Sequence, residues 1–310
     1  MVQCHGYDAV TTFRPRPPTR ARFGHALAAW HVTMRRDLPV RRATRPWPIL
    51  VAEVMSQQTQ IERIGPAWER FVGLWPEPRG LAAAESRDLL RAWAGLGYNR
   101  RALALREAAR TIMREHGGRV PGTVPELERL PGVGPYTARA VAASAFGVPV
   151  APLDVNVRRV VERVVGEAQP PGRLQDTADG LVSRNDPRAW VDAVMDLAAT
   201  VCTARAPRCA ACPLAGMCRS AGSIAEPLGP DPEVPGTPLT RAMPFKRTNR
   251  WLRGRLLAAI RDAPRGGWVD APDGLGEHDR QAVIAALRGL ERDGFIEVRG
   301  GRARLASDRP

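Results

Sequence analysis

The chain has 310 residues, 44% of them hydrophobic, enough for two or three domains and a substantial core. Lys+Arg 46 against Asp+Glu 32 gives a formal charge of +14 and a sequence pI of about 11.0. That surplus favours a polyanionic partner, although an arginine-rich codon usage also produces part of it. No apolar run is long enough to span a bilayer, and the N-terminal MVQCHGYDAVTTFRPRPPTRARF lacks the apolar core of a secretory signal. The expectation is a cytoplasmic protein with no membrane partner, whose cysteines stay reduced and bind metal where they cluster.

Taken in order, residues 1–21 read as a basic lead-in, with Cys4 a bystander. Phe23, Leu27, Trp30 and Met34 recur at helical spacing and predict a helix over 22–36. Residues 37–48, rich in proline and arginine, read as an irregular connection. A helix over 49–60 carries AEVMSQQTQ and places Glu53 among Ile49, Leu50, Val51, Val54 and Met55. A carboxylate there lies at a helix edge or in a functional pocket. Amphipathic helices are predicted at 64–75, 86–93 and 99–116, and Gly95-Leu96-Gly97-Tyr98 stops the second of them. A short helix over 123–129 opens with Thr123 and has Glu126 three residues on, the capping-box pattern.

Leu130-Pro131-Gly132-Val133-Gly134 then breaks the chain between two helices. Gly132 and Gly134 supply positive-φ or closely approached backbone. Pro135 suits the first turn of a helix over 135–146, where its missing N–H costs nothing. The N–H groups at that helix start favour an anion such as a DNA phosphate. An ordinary packing turn satisfies the same pattern. Asp154 follows, then a helix over 155–165, a Pro/Gly loop at 166–175, and helices near 177–183 and 190–202. No strand alternation occurs up to this point, so the body is all-α. Beyond a Pro/Gly/Ser-rich linker, the tail reads helix, Gly/Pro-rich connection, helix, then 295–298 and 303–305 as a hairpin around Gly300-Gly301. That order resembles a small winged-helix α+β module.

Cys202, Cys209, Cys212 and Cys218 are spaced C-x6-C-x2-C-x5-C in one short loop, with no histidine near. Zinc usually takes separated CxxC knuckles or a Cys/His mixture. Four thiolates in one compact loop suit a [4Fe–4S] cluster, one cysteine per iron. Arg205 and Arg208 place positive charge beside it.

EVMSQQTQ, GLGYNRRA, LPGVGPYTA, LDVNVRRV and MDLAATVCTARAPRCAACPLAGMC together resemble the helix-hairpin-helix DNA glycosylases of the endonuclease III superfamily. Within it they are most similar to the adenine-specific mismatch glycosylases, the MutY group. The resemblance covers roughly residues 36–219. It implies a two-lobed helix-hairpin-helix body with an iron–sulfur lobe, acting as a monomer on double-stranded DNA that holds a mismatched or damaged pair. The corresponding boundaries are 22–48 (packing with the iron–sulfur lobe), 49–152, 153–219, a linker at 220–245 and the winged-helix-like module at 246–310. A prokaryotic member would be associated with the nucleoid.

The resemblance also assigns residues. Glu53 protonates the purine, Asp154 stabilises or traps the sugar cation, and Asn156 is its supporting polar neighbour. In relatives that nick the strand a lysine stands where this chain has Tyr136, which implies a monofunctional enzyme. Gln57, Gln58 and Thr59 match the loop that fills the gap in the duplex and touches the opposite base, and Tyr98 matches a wedge. Gly132, Gly134 and Arg41 are assigned to DNA contact. Three departures stand out. Val40 replaces the tryptophan of Leu-Pro-Trp-Arg that lines the base pocket, with Trp47 a candidate replacement. Ser56 stands where leucine is usual, and the tail is too short for the Nudix-like domain of many relatives. Thymine/uracil mismatch glycosylases, which also carry tyrosine at the hairpin position, are the second reading. A non-catalytic iron–sulfur DNA-binding protein is the third.

Overall fold

In a computed structural model, residues 18–223 and 244–306 are described, with the side chain of residue 62 left out. Cys4, most of the lead-in and most of the 220–245 linker lie outside those residues. The chain divides into two compact units, Met1–Arg36 with Gly147–Asp231, and Asp37–Phe146 with Pro232–Pro310.

The first unit is helical. α1 (Arg20–Met34) starts at Thr19, whose side chain accepts from Arg22 N. It packs on α10 (Pro171–Leu181) and α11 (Pro187–Thr200), while α9 (Val155–Val165) packs on the same pair. The fully buried Asp196 of α11 joins α1 to α11. It lies 3.0 Å from His31 Nε2 and accepts from Arg36 Nε at 2.5 Å and Arg36 N at 3.1 Å. A buried carboxylate needs such partners, because desolvation alone would disfavour its charge.

The second unit holds α2 (Pro46–Ser56), α3 (Ile61–Leu74), α4 (Pro78–Ala82), α5 (Ser86–Ala92), α6 (Arg100–Glu115), α7 (Val124–Glu128) and α8 (Pro135–Phe146). α2 packs on α3 and α8, and Phe71 meets Trp75 and Trp93 edge-on at 4.7 and 5.7 Å. The tail contributes α12 (Asn249–Asp262), β1 (Val269–Asp270), α13 (Arg280–Arg292), β2 (Ile296–Arg299) and β3 (Arg302–Leu305). The sheet order is β1-β3-β2, all antiparallel, with Val269 opposite Ala303 and Ile296 opposite Leu305. The two-residue β1 is too short to show as alternation in the sequence. The tail's apolar core takes in Leu90 of α5, and Leu103 of α6 packs against it.

The expected helix bounds need correction where a proline suggests a break. α2 begins at Pro46 rather than 49, α10 at Pro171 inside the expected loop, and α11 at Pro187 rather than 190; α4, opening at Pro78, lies where no helix is predicted. In each case proline occupies the first turn, where its fixed φ suits the helix and no N–H is needed. α2 also ends at Ser56 instead of 60. Ser56 Oγ donates to Glu53 O at 2.8 Å, and Gln58 adopts φ 54°, which stops the helix.

Candidate active site and metal centre

The hairpin is built by α7 and α8 with the turn between them. Thr123 caps α7, its hydroxyl accepting from Glu126 N at 3.4 Å and donating to Glu126 Oε2 at 2.5 Å. The N-cap half of the expected capping box therefore forms, while the Glu126 side chain meets the hydroxyl and not the Thr123 backbone N–H. Gly132 has φ +78°, and a Cβ there would lie 2.7 Å from Ala104 Cβ, so glycine is needed twice over. Gly134 corrects the expectation for it. It has no positive φ, and nothing lies within 4 Å of where its Cβ would be. Its carbonyl accepts from Ala138 N at 2.9 Å and so starts α8. The exposed backbone at Gly134 is therefore open to an outside group, whereas Gly132 answers to the fold.

Glu53 lies half-buried near the C-terminal end of α2, with Val54 and Met55 fully packed. The following residues are held by side chains, not left as a free loop. Gln57 Nε2 donates to Gly132 O and Thr137 Oγ1, both at 3.1 Å, tying the end of α2 to the hairpin. Thr59 Oγ1 donates to Gln57 O at 3.4 Å. Gln58 alone of the three is in a left-handed conformation. Tyr98 is also left-handed, at φ 46°, and 43% exposed.

Arg101 organises these pieces; it lies inside the GLGYNRRA motif, where the sequence alone assigns it no role. Its Nη1 donates to the carbonyls of Val54, Met55 and Gln57 at 3.1, 2.7 and 2.5 Å. Its Nη2 donates to Thr59 Oγ1, Leu96 O and Gly97 O, each at 3.1 Å. The guanidinium faces the rings of Trp93 and Tyr98 at 5.4 and 5.6 Å. Helix α2 leaves its last carbonyls without intrahelical partners, and a cation there also suits the helix dipole. Burial pushes Arg101 below the usual guanidinium pKa. A signal was present: Arg101, Leu105, Ala108 and Ile112 share one helical face, and all four are buried.

Asp154 is the N-cap of α9. Its Oδ1 accepts from Asn156 N and Val157 N at 2.8 Å each, and its Oδ2 accepts from Asn156 Nδ2 at 2.7 Å. Three donors on one half-buried carboxylate fix its direction. Asn156 is fixed in turn, since its Oδ1 accepts from Arg159 Nη1 at 3.1 Å. Arg159 also donates to Ala198 O and Cys202 O at 3.0 and 2.8 Å. A hydrogen-bonded path thus runs from the carboxylate to the first cysteine's backbone.

Tyr136 is half-buried in the first turn of α8, one residue after Pro135. Val40 lies buried in a 3-10 turn over Pro39–Arg42 with the half-buried Arg41 beside it. Trp47 is the candidate replacement for the pocket tryptophan. It is 3% exposed in the core, and its Nε1 donates to Trp75 O at 3.0 Å.

Cys202, Cys209, Cys212 and Cys218 all line one cavity after α11. Arg163 Nη1 donates to Cys202 Sγ at 3.4 Å and to Thr203 O at 2.7 Å, and its Nη2 donates to Ala204 O at 3.0 Å. Among the described residues no three His, Cys, Asp or Glu side chains converge on a single ion. A cubane binds one thiolate at each of four irons, and the four cysteines lining one cavity supply that donor set. Burial pushes the Cys212 thiol up to about 11 and Cys218 in the same direction, and the neighbouring cysteines add to both. Iron must displace those protons on binding. The residues present fit the cluster.

Among the described residues no helix is long and apolar enough to cross a membrane. Residues 51–184 match the HhH-GPD superfamily of base excision DNA repair proteins, and residues 202–218 match the iron-sulfur binding domain of endonuclease III. The loop therefore carries a [4Fe–4S] cluster. The adenine DNA glycosylase of Mycolicibacterium smegmatis is 40% identical over 289 residues, covering 91% of this chain and 95% of that protein. That of Mycobacterium tuberculosis is 44% identical over 245 residues, covering 76% and 78%. A solved thermostable thymine-DNA glycosylase is 29% identical with a TM-score of 0.61, covering 64% of this chain and 94% of that one.

Proposed function

The chain belongs to the adenine DNA glycosylases of the HhH-GPD base excision repair superfamily, and from that premise we propose that it is a monofunctional enzyme removing adenine mispaired with 8-oxoguanine or guanine. It acts as a monomer on duplex DNA in the cytoplasm, at the nucleoid. The target nucleotide is flipped out of the stack, as any chemistry at its glycosidic bond requires. Glu53 donates a proton to a ring nitrogen of the purine. The C1′–N9 bond then breaks, and its electron pair leaves with the base. The Asp154 carboxylate stabilises the oxocarbenium sugar until water adds at C1′ and gives up a proton that restores the Glu53 acid, leaving an abasic site and free adenine.

The observation that carries this reading is the carboxylate of Asp154, aimed by three hydrogen bonds from Asn156 and Val157. An anion so held needs no reorganisation as positive charge develops on the sugar. Tyr136 offers a phenol where Schiff-base chemistry would need an amine. When bound, the cluster's four iron–thiolate bonds cross-link the loop from Cys202 to Cys218. Arg159 relates the start of that loop to Asn156.

Incubation with duplexes carrying A·8-oxoguanine, A·G, T·G and U·G, followed by alkali, tests the proposal. Cleavage of the adenine strand, and only after alkali, is expected. Product from the thymine or uracil strand alone would instead favour a pyrimidine mismatch glycosylase. Val40, small and buried where the resemblance implies a pocket tryptophan, favours that second reading. Strand nicking without alkali would overturn the monofunctional assignment, and no product from any duplex would overturn the enzyme.

A further inference from the structure

In the second unit a groove of about 1320 Å³ lies between the Gln57–Gln60 and Gly95–Tyr98 loops, α3 and helix α12 of the tail. Among the described residues, eight arginines line it against a single lining carboxylate, Asp293; Arg101 among them is buried on carbonyls and Arg261 pairs with Asp262. Asp293 is already shared by Arg100 and Arg253. Arg63 and Arg70 on α3 and Arg255 on α12 are exposed. Residues 250, 254, 257, 258 and 261 recur at helical spacing, so one face of α12 forms a wall. Gly254 and Ala258 keep that wall low, and Phe245, 61% exposed, stands at its end.

The tail is held in place at this wall. Arg250 stacks on the Tyr98 ring at 4.3 Å and donates to its hydroxyl at 3.1 Å. Arg87 donates to Ala263 O, and Arg265 pairs with Glu85. Together with Leu90 in the tail's core, these contacts make α12 a fixed partner of the Tyr98 loop.

We infer that this groove binds the sugar–phosphate backbone of the DNA duplex beside the Tyr98 loop, so that the C-terminal module is part of the DNA-binding surface. This rests on DNA being the substrate. Arginines in such excess, with exposed aromatics at the rim, suit phosphates and unstacked bases, not an apolar ligand. The wall contributes charge and a helix face directly to the groove.

The test is the salt dependence of affinity for an undamaged duplex and for one carrying A·8-oxoguanine. Each phosphate that the protein no longer neutralises should lower the slope of log K against log salt by about 0.9. Arg63→Ala, Arg70→Ala and Arg255→Ala combined should therefore flatten the slope by roughly two to three and weaken binding at least tenfold. Arg114→Ala, on the far end of α6 and paired with Glu115, serves as the control and should leave the slope as it is. Gly254→Trp adds bulk without altering charge at a site with nothing within 4 Å. It should weaken binding while thermal unfolding stays normal. An unchanged slope in the triple variant, or full affinity in Gly254→Trp, overturns the groove. These binding measurements do not depend on excision. A protein with the expected slope changes but no product from any duplex would keep the groove and lose the glycosylase.

Discussion

Arg101 donates to Met55 O at 2.7 Å and thereby caps the helix that carries Glu53 from a different element, α6. The same guanidinium reaches Thr59 and Gly97, so one side chain sets the end of α2, the loop after it and the turn before Tyr98. Arg101→Met keeps the length and removes the donors. Several buried carbonyls then lose a charged partner, and stability should fall by about 3 kcal/mol. Arg101→Lys should recover part of the stability but not the forked geometry. Denaturant unfolding of both variants checks the ranking; equal stability for all three proteins would refute the cap.

Asp154 has two separable jobs, capping α9 and carrying charge. Asp154→Asn keeps an oxygen acceptor for the N-cap, and asparagine is as good a cap as aspartate. Folding and DNA affinity should survive, while single-turnover excision should fall by roughly 10³-fold or more. Asp154→Ala should also cost about 1 kcal/mol of stability. Retained turnover in the asparagine variant would remove Asp154 from the reaction.

Gly132 and Gly134 should part company under substitution. Gly132→Ala meets Ala104 at 2.7 Å in a left-handed conformation, at a cost of about 1–2 kcal/mol. Gly134→Ala meets nothing, so its melting temperature should match that of the parent. A loss of duplex affinity in Gly134→Ala, read by titration, would then report a group that approaches from outside. Equal affinity would return this turn to the packing role.

Arg163 bridges Cys202 to the carbonyls of Thr203 and Ala204. Arg163→Ala should still load iron, because all four thiols remain, yet lose its visible absorbance faster in air. Removing iron with a chelator should bleach the same bands and lower the melting temperature, since metal bound to the native state is folding free energy. A chelated protein that melts at an unchanged temperature would deny the cluster any part in stability.

Features that are local in the chain are legible in its sequence. The cysteine spacing, the Thr123 N-cap and the left-handed turn at Gly132 all act within a few positions. Proline, in contrast, admits two readings. Pro46, Pro78, Pro171 and Pro187 start helices, and only the neighbouring turn distinguishes a starter from a breaker.

The sequence by itself determined an all-α body, a four-thiolate loop and two carboxylates in motif positions, because each depends on residue type and short spacing. Tertiary structure alone decided what Gln57, Arg101, Trp47 and the tail do. Gln57 reaches a hairpin 75 residues away, Arg101 reaches carbonyls more than 40 residues back, and Arg250 meets Tyr98 across 152 positions. The physical reason is common to all of them: a hydrogen bond or a ring contact is specified by where two chain segments meet, and no local periodicity records that.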